Sequence, residues 1–183
     1  MTLARRPWAA DLLHVWFHQL GADDWFGGSE AVDLLLRERF ERWLHALGHR
    51  PAGEFLRDPA TARAAILLFD QIPRNLYRGS AQAFAWDPLA LAITQGMLAR
   101  GWHLGLPQQA KQFLLMPLMH SERIADQRLS LALFVRHAPA SLSFARSHYR
   151  MIARFGRYPH RNEALGRVTT PAEQRAIEAG FSW

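Results

Sequence analysis

Residues 146–167 hold six arginines, two histidines and a single acid, Glu163. Arg154, Arg157, Arg161 and Arg167 supply guanidinium groups, planar forks that grip a carboxylate or phosphate at two points. His160 and Asn162 stand among them in FGRYPHRNEALGR, Phe155 to Arg167, which carries two glycines and a proline. A stretch so irregular leaves backbone N–H groups free to face an anion. His160 adds an imidazole able to act as acid or base near neutral pH. His148 falls among the apolar positions of the preceding helix, where it reads either as a satisfied core histidine or as part of the same site.

Two further segments depart from plain helix. In DQIPRN, residues 70–75, an apolar run ends in Asp70 and Gln71 and then meets Pro73. The proline disfavours helical geometry at Ile72, so the helix should stop there and turn Arg74 and Asn75 outward. The alternative is a helix end whose Asp70 bonds a local arginine, since helix ends need polar partners in any case. The other segment is MPLMHSE, residues 116–122, followed by Asp126 and Gln127. His120 and Glu122 could supply two metal ligands, but residues 122 and 126 share one helix face while 120, 124 and 127 share another. No metal site is assigned. Glu122 and Asp126 could equally complement the start of a helix. As chemistry, His120 and His160 would move protons, with Glu122 orienting an imidazole or activating water. No Gly-x-Ser-x-Gly nucleophile setting or phosphate-cradling glycine loop is present.

Helices must position these groups. Leu12, Leu13, Trp16 and Leu20 predict one over about 8–20. A loop, GADDWFGGS, follows. Ser29 can cap a helix with Val32, Leu35, Leu36, Phe40, Trp43 and Leu47 on its apolar side, ended by Gly48. Asp58-Pro59 and Asp87-Pro88 have the order of helix starts. The first opens a nearly all-apolar, central helix; the second opens one that ends near Gly101. Shorter signals predict helices over about 107–115, over 122–137 capped by Ser121, and over 141–155 stopped by Gly156. In that last helix Arg146, Arg150 and Arg154 form one stripe, opposite Phe144, Met151, Ile152 and Phe155. Thr170-Pro171-Ala172-Glu173 is a capping box opening the final helix. About eight helices with short links make an all-α array of antiparallel pairs. Pro73-Arg74-Asn75 and Pro159-His160-Arg161-Asn162 both follow helix ends, and the two breaks could face each other across a cleft.

The chain has 183 residues, 49% apolar and 21% charged, which suits one globular domain spanning 1–183. No apolar run nears the ~18 residues of a membrane span. The opening MTLARRPWAADLLHVW is interrupted at Asp11 and His14, unlike a secretory leader. With no cysteine, thiolate chemistry is excluded, and a cytoplasmic location is expected. Residues 1–87 carry 10 basic and 11 acidic side chains; residues 88–183 carry 12 and 5.

Several stretches taken together resemble the bacterial DUF924 proteins, a family of unknown function. They are the doublets Trp16-Phe17 and Trp25-Phe26, LLFDQIPRNLYRG at 67–79, Phe84 with Asp87, PLMHSE at 117–122 with Gln127, and FGRYPHRNEALGRVTTPAE at 155–173. Phe55 stands where that family's tryptophan is expected and His103 where an aspartate is common. The resemblance implies a TPR-like α/α superhelix. The residues favour a polar cleft for a small anionic ligand, with His/Glu acid–base chemistry as one use of it. The alternatives are a groove for an acidic peptide and, less favoured, nucleic-acid binding through the basic C-terminal half.

Overall fold

The computed structural model describes residues 6–181, so Met1–Arg5 of the stretch read for a leader lie outside it. The described residues form helices and turns, with no strand among them. No described helix is long and apolar enough to cross a membrane. Contacts divide the chain into two compact units, Met1–Arg78 with Ala83–Gly105, and Gly79–Gln82 with Leu106–Trp183.

The first unit contains α1 (Pro7–His14), α2 (Ala22–Gly27), α3 (Glu30–Leu47), α4 (Pro59–Ile66), α5 (Ile72–Leu76) and α6 (Asp87–Ala99). Its centre is α4, which packs on α1 and α6. Ala62, Ala64 and Ala65 let neighbouring helices come close, and Ile66, Leu67, Leu68 and Phe69 are buried, as the apolar run predicts. Asp58 caps α4 by accepting the Thr61 N–H at 2.8 Å. Phe55 is buried edge-on to Phe69, ring centroids 5.2 Å apart, so an aromatic ring fills that place in the core.

Proline does not stop this chain where local rules place the stop. The α4 helix runs on through a π turn, Leu67–Gln71, in which the Ile72 N–H donates to the Leu67 carbonyl five residues back. In a regular α-helix the Pro73 ring would crowd the carbonyl four residues behind it. The wider turn ahead of Pro73 lets the helix continue as α5, so Arg74 and Asn75 lie within a helix and are not turned out of it. The same holds in the second unit, made of α7 (Gln108–His120), α8 (Ile124–His137), α9 (Leu142–Phe155) and α10 (Pro171–Glu178). Pro117 lies inside α7, which extends to His120 and not to about 115. The helices α7, α8 and α9 pack on one another in succession through short links, as helical hairpins do.

Other local expectations shift by a few residues. GADDWFGGS is not all loop: it contains α2, with the Gly21 N–H bonded to the Asp24 carboxylate at 2.9 Å. Arg123, not Ser121, stands at the N-cap of α8; the Ser121 hydroxyl instead donates to Asp126 at 2.7 Å. Asp87 is the first residue of α6, its carboxylate turned to Arg74. Phe144 is 57% exposed, because the buried face of α9 runs through Ala145, His148, Met151 and Ile152. Gly156 does end α9, with φ +70°, and Thr170 and Glu173 do form the capping box of α10.

Two glycines admit close neighbours in the first unit. A Cβ at Gly48 would stand 2.1 Å from the Trp86 Nε1, and one at Gly96 would stand 2.3 Å from the Leu56 Cδ1. The indole is rigid, whereas the Leu56 tip can rotate away. Gly48→Ala should therefore cost about 1–3 kcal/mol in urea denaturation. Gly96→Ala should cost less, and a larger loss at Gly96 would show that the Leu56 tip has nowhere to go.

Candidate functional site

The sequence-derived candidates fall into one group in each unit. In the first, Asp70 is fully buried in the π turn and accepts from the Gln71 side-chain amide at 2.6 Å. Arg74 donates to the Asp70 carbonyl at 2.6 Å and grips both oxygens of Asp87 at 2.8 and 2.9 Å. Asn75 donates to the Gln71 carbonyl and accepts from Arg78, which also holds Asp33. The polar residues of 70–75 thus tie α5 to α3 and α6. Asp87, the remaining member of this group, entered the sequence reading as a helix start and in the family resemblance, not as a site residue.

In the second unit the pattern begins at the end of α7. A helix end leaves its last carbonyls without N–H partners. The Gln127 amide nitrogen, on α8, lies 2.7 Å from the Met119 carbonyl oxygen, 2.6 Å from that of Ser121 and 2.7 Å from the Tyr158 hydroxyl. Its two hydrogens are shared among these acceptors. The Tyr158 hydroxyl in turn donates to the Met119 carbonyl. Gln127 and Tyr158 are fully buried, and together they close the helix from two other elements.

Tyr158 is held by a second clamp. Glu122, in the α7–α8 link, accepts the Tyr158 N–H at 2.8 Å and both Arg167 Nη groups, at 2.8 and 3.0 Å. Arg167 also donates to the Tyr158 carbonyl at 3.0 Å. Burial pushes the Glu122 carboxyl up, but the Arg167 and Tyr158 hydrogen bonds, with Arg161 nearby, hold it below its ordinary value. A third clamp joins Arg157 to Glu173 at 2.6 and 2.9 Å and to the Val168 carbonyl. The Arg157 hydrogen bond, against burial and with help from Thr170, brings the Glu173 carboxyl down to about 2. Asn162 is buried, donating to the Thr169 hydroxyl at 3.3 Å and accepting the Arg167 N–H at its carbonyl. Gln127, Glu122, Arg157, Asn162 and Arg167 therefore shape the 156–170 loop.

What the loop presents is a ring cluster around Tyr158. The His148 and His160 rings lie 5.5 and 5.6 Å from it, centroid to centroid, and the His120 ring lies 6.0 Å from His148. The Arg161 guanidinium carbon sits 4.5 Å from the Tyr158 ring centroid, a cation–π contact. Arg161 is 6% exposed and His148 4% exposed; His120 and His160 are half-buried. His148 Nδ1 lies 2.9 Å from the Phe144 carbonyl, so it carries the proton, and Nε2 is left as an acceptor. Burial, reinforced by His120, drives its pKa down to about 2, keeping it neutral. Arg154 stands apart, exposed, with its guanidinium 4.9 Å from the Phe155 ring centroid. Among the described residues no group of three or more His, Asp or Glu side chains is placed to hold a metal. Tyr158 is the centre that residue-type reasoning passed over, since it bears no charge; its place inside the segment FGRYPHRN was the available signal.

Two outcomes follow. Tyr158→Phe removes a hydroxyl bonded at the end of α7 and should lower stability by about 1–3 kcal/mol in urea denaturation. His148 has an unfolded value near 6.5 and a folded value of about 2. Between these the unfolded chain binds the extra proton, so His148 makes stability fall as pH drops below 6.5. Replacing it in His148→Gln should flatten that fall by about 1.4 kcal/mol per pH unit between pH 5 and 3. Parallel wild-type and variant curves would place His148 in a charged state.

The family model described as a bacterial protein of unknown function, DUF924, matches residues 12–180. A solved structure of a protein of unknown function from Agrobacterium tumefaciens is 35% identical, with a TM-score of 0.88 over 94% of this chain and 97% of that one. No curated protein matches the chain. With the family's model matched from the first helix to the last, the chain belongs to the DUF924 family.

Proposed function

We propose that the second unit binds a small anion, a carboxylate or phosphate, at the cluster of His120, His148, His160 and Arg161 around Tyr158. One observation carries the reading: a buried arginine and two imidazoles meet one buried ring, and a third imidazole, that of His120, lies beside His148. The Tyr158 face fixes the plane of the Arg161 guanidinium. In that pose its N–H fork matches a carboxylate or phosphate. Neutral His148 adds no charge to the cluster, so the positive charge there is that of Arg161. Half-buried His120 and His160 have the access needed to deliver or remove a proton, which is the step an acid–base enzyme would need. The Tyr158 hydroxyl is spent on the Met119 carbonyl, so that residue contributes its ring and not its proton. Glu122 supports the site through Tyr158 and Arg167 and stays outside the proton transfer.

Thermal melting at constant ionic strength, with inorganic phosphate and with mono- and dicarboxylates replacing chloride, tests this. Saturating anion stabilises by about 2.7 kcal/mol at a hundredfold excess over Kd, so the wild type should rise by several degrees. Arg161→Gln should lose that rise while keeping its helical circular dichroism. A wild type indifferent to every anion, or an Arg161→Gln variant that responds in full, refutes the site.

A further inference from the structure

We infer that the outward face of α9 docks the phosphodiester backbone of a nucleic acid. Arg146, Arg150 and Arg154 are all exposed. Successive positions four apart lie about 40° from one another around a helix and about 6 Å apart along it, so the three make one strip about 12 Å long. Ion pairs engage Arg157 and Arg167, but none of the described carboxylates pairs with any of the three. Like charges four residues apart on a helix repel, and among the described residues no ion pair offsets this, although the Arg154 guanidinium leans on the Phe155 ring.

Its surroundings match a strand backbone. Exposed Ser143 and Ala153 and half-buried Ser147 and Tyr149 are among the residues beside the arginines, and the small ones let a backbone come close. One strand of a duplex presents a phosphate about every 3.4 Å of axis, so about three or four phosphates face the strip. A bilayer surface fits less well, because Met151 and Ile152 of α9 are buried and no continuous apolar face remains to enter lipid. Exposed Arg128 and Arg136 on α8, likewise without ion pairs, raise the positive potential of the unit.

Fluorescence anisotropy with 20-nucleotide mixed-sequence DNA, single-stranded and duplex, decides the matter. The triple Arg146→Gln, Arg150→Gln, Arg154→Gln should bind at least about tenfold more weakly at 50 mM salt. Its log Kd against log salt slope should be shallower by about two to three. A control triple in the first unit, Arg42→Gln, Arg50→Gln, Arg57→Gln, removes the same charge and should bind as the wild type does. The corresponding three lysine substitutions should retain most of the binding; should the glutamine triple fail to fold, the single Arg150→Gln still reads a slope loss of about one. Three results overturn the inference: no oligonucleotide bound at 50 mM salt, equal losses in the two triples, or a strip required for anionic-lipid vesicles and not for DNA.

Discussion

The end of α7 sets the terms for the second unit. A helix that finishes inside a protein leaves carbonyls that water cannot reach, and each must find a donor. Here the donors are Gln127 of α8 and Tyr158 of the loop after α9, both fully buried. Because one helix end recruits residues from two other elements, three segments distant in sequence are brought to the same point. The ring cluster around Tyr158 follows from that. The Met119 carbonyl is held by both donors and the Ser121 carbonyl by Gln127, so losing the Gln127 amide takes a partner from two carbonyls and losing the Tyr158 hydroxyl from one.

Charges serve two different ends in this chain. Arg74 with Asp87, Arg78 with Asp33, Arg157 with Glu173 and Arg167 with Glu122 are all two-point pairs that tie a loop or short helix to a helix or link elsewhere in the chain. Such geometry restricts orientation more than a lone surface pair does. Glu173 serves the Arg157 pair and the capping box of α10 at once, so the loop and the final helix are fixed together. The α9 arginines belong to no such pair. The contrast separates arginines that build the fold from those available to something outside it.

Prolines show where a local rule yields to its context. Pro73 and Pro117 each lack a donor and each was expected to end a helix or mark an irregular segment. In the first unit the π turn at Leu67–Gln71 absorbs the misfit, and in the second α7 continues past the proline to His120. Both stretches are deeply buried. Packing of apolar side chains such as Phe69 and Leu118 favours continuing the helix, and that preference is invisible to a rule that sees only neighbours along the chain.

Spacing and residue type along the chain were enough to read the all-α class, the central apolar helix, the cap at Asp58, the stop at Gly156 and the capping box at Thr170 and Glu173. These depend on groups within a few residues of each other, where spacing and side-chain type decide the outcome. The sequence also marked the segments that matter, because polar residues gathered at helix ends need a reason. What each of them does depends on how the helices pack. Arg157 and Arg167, candidate ligands by type, have carboxylate partners 16 and 45 residues away. Tyr158, unremarkable by type, became the centre because the carbonyl it meets is 39 residues away. Pairings across such distances depend on which helices pack together, and helical periodicity identifies a buried face without naming its partner.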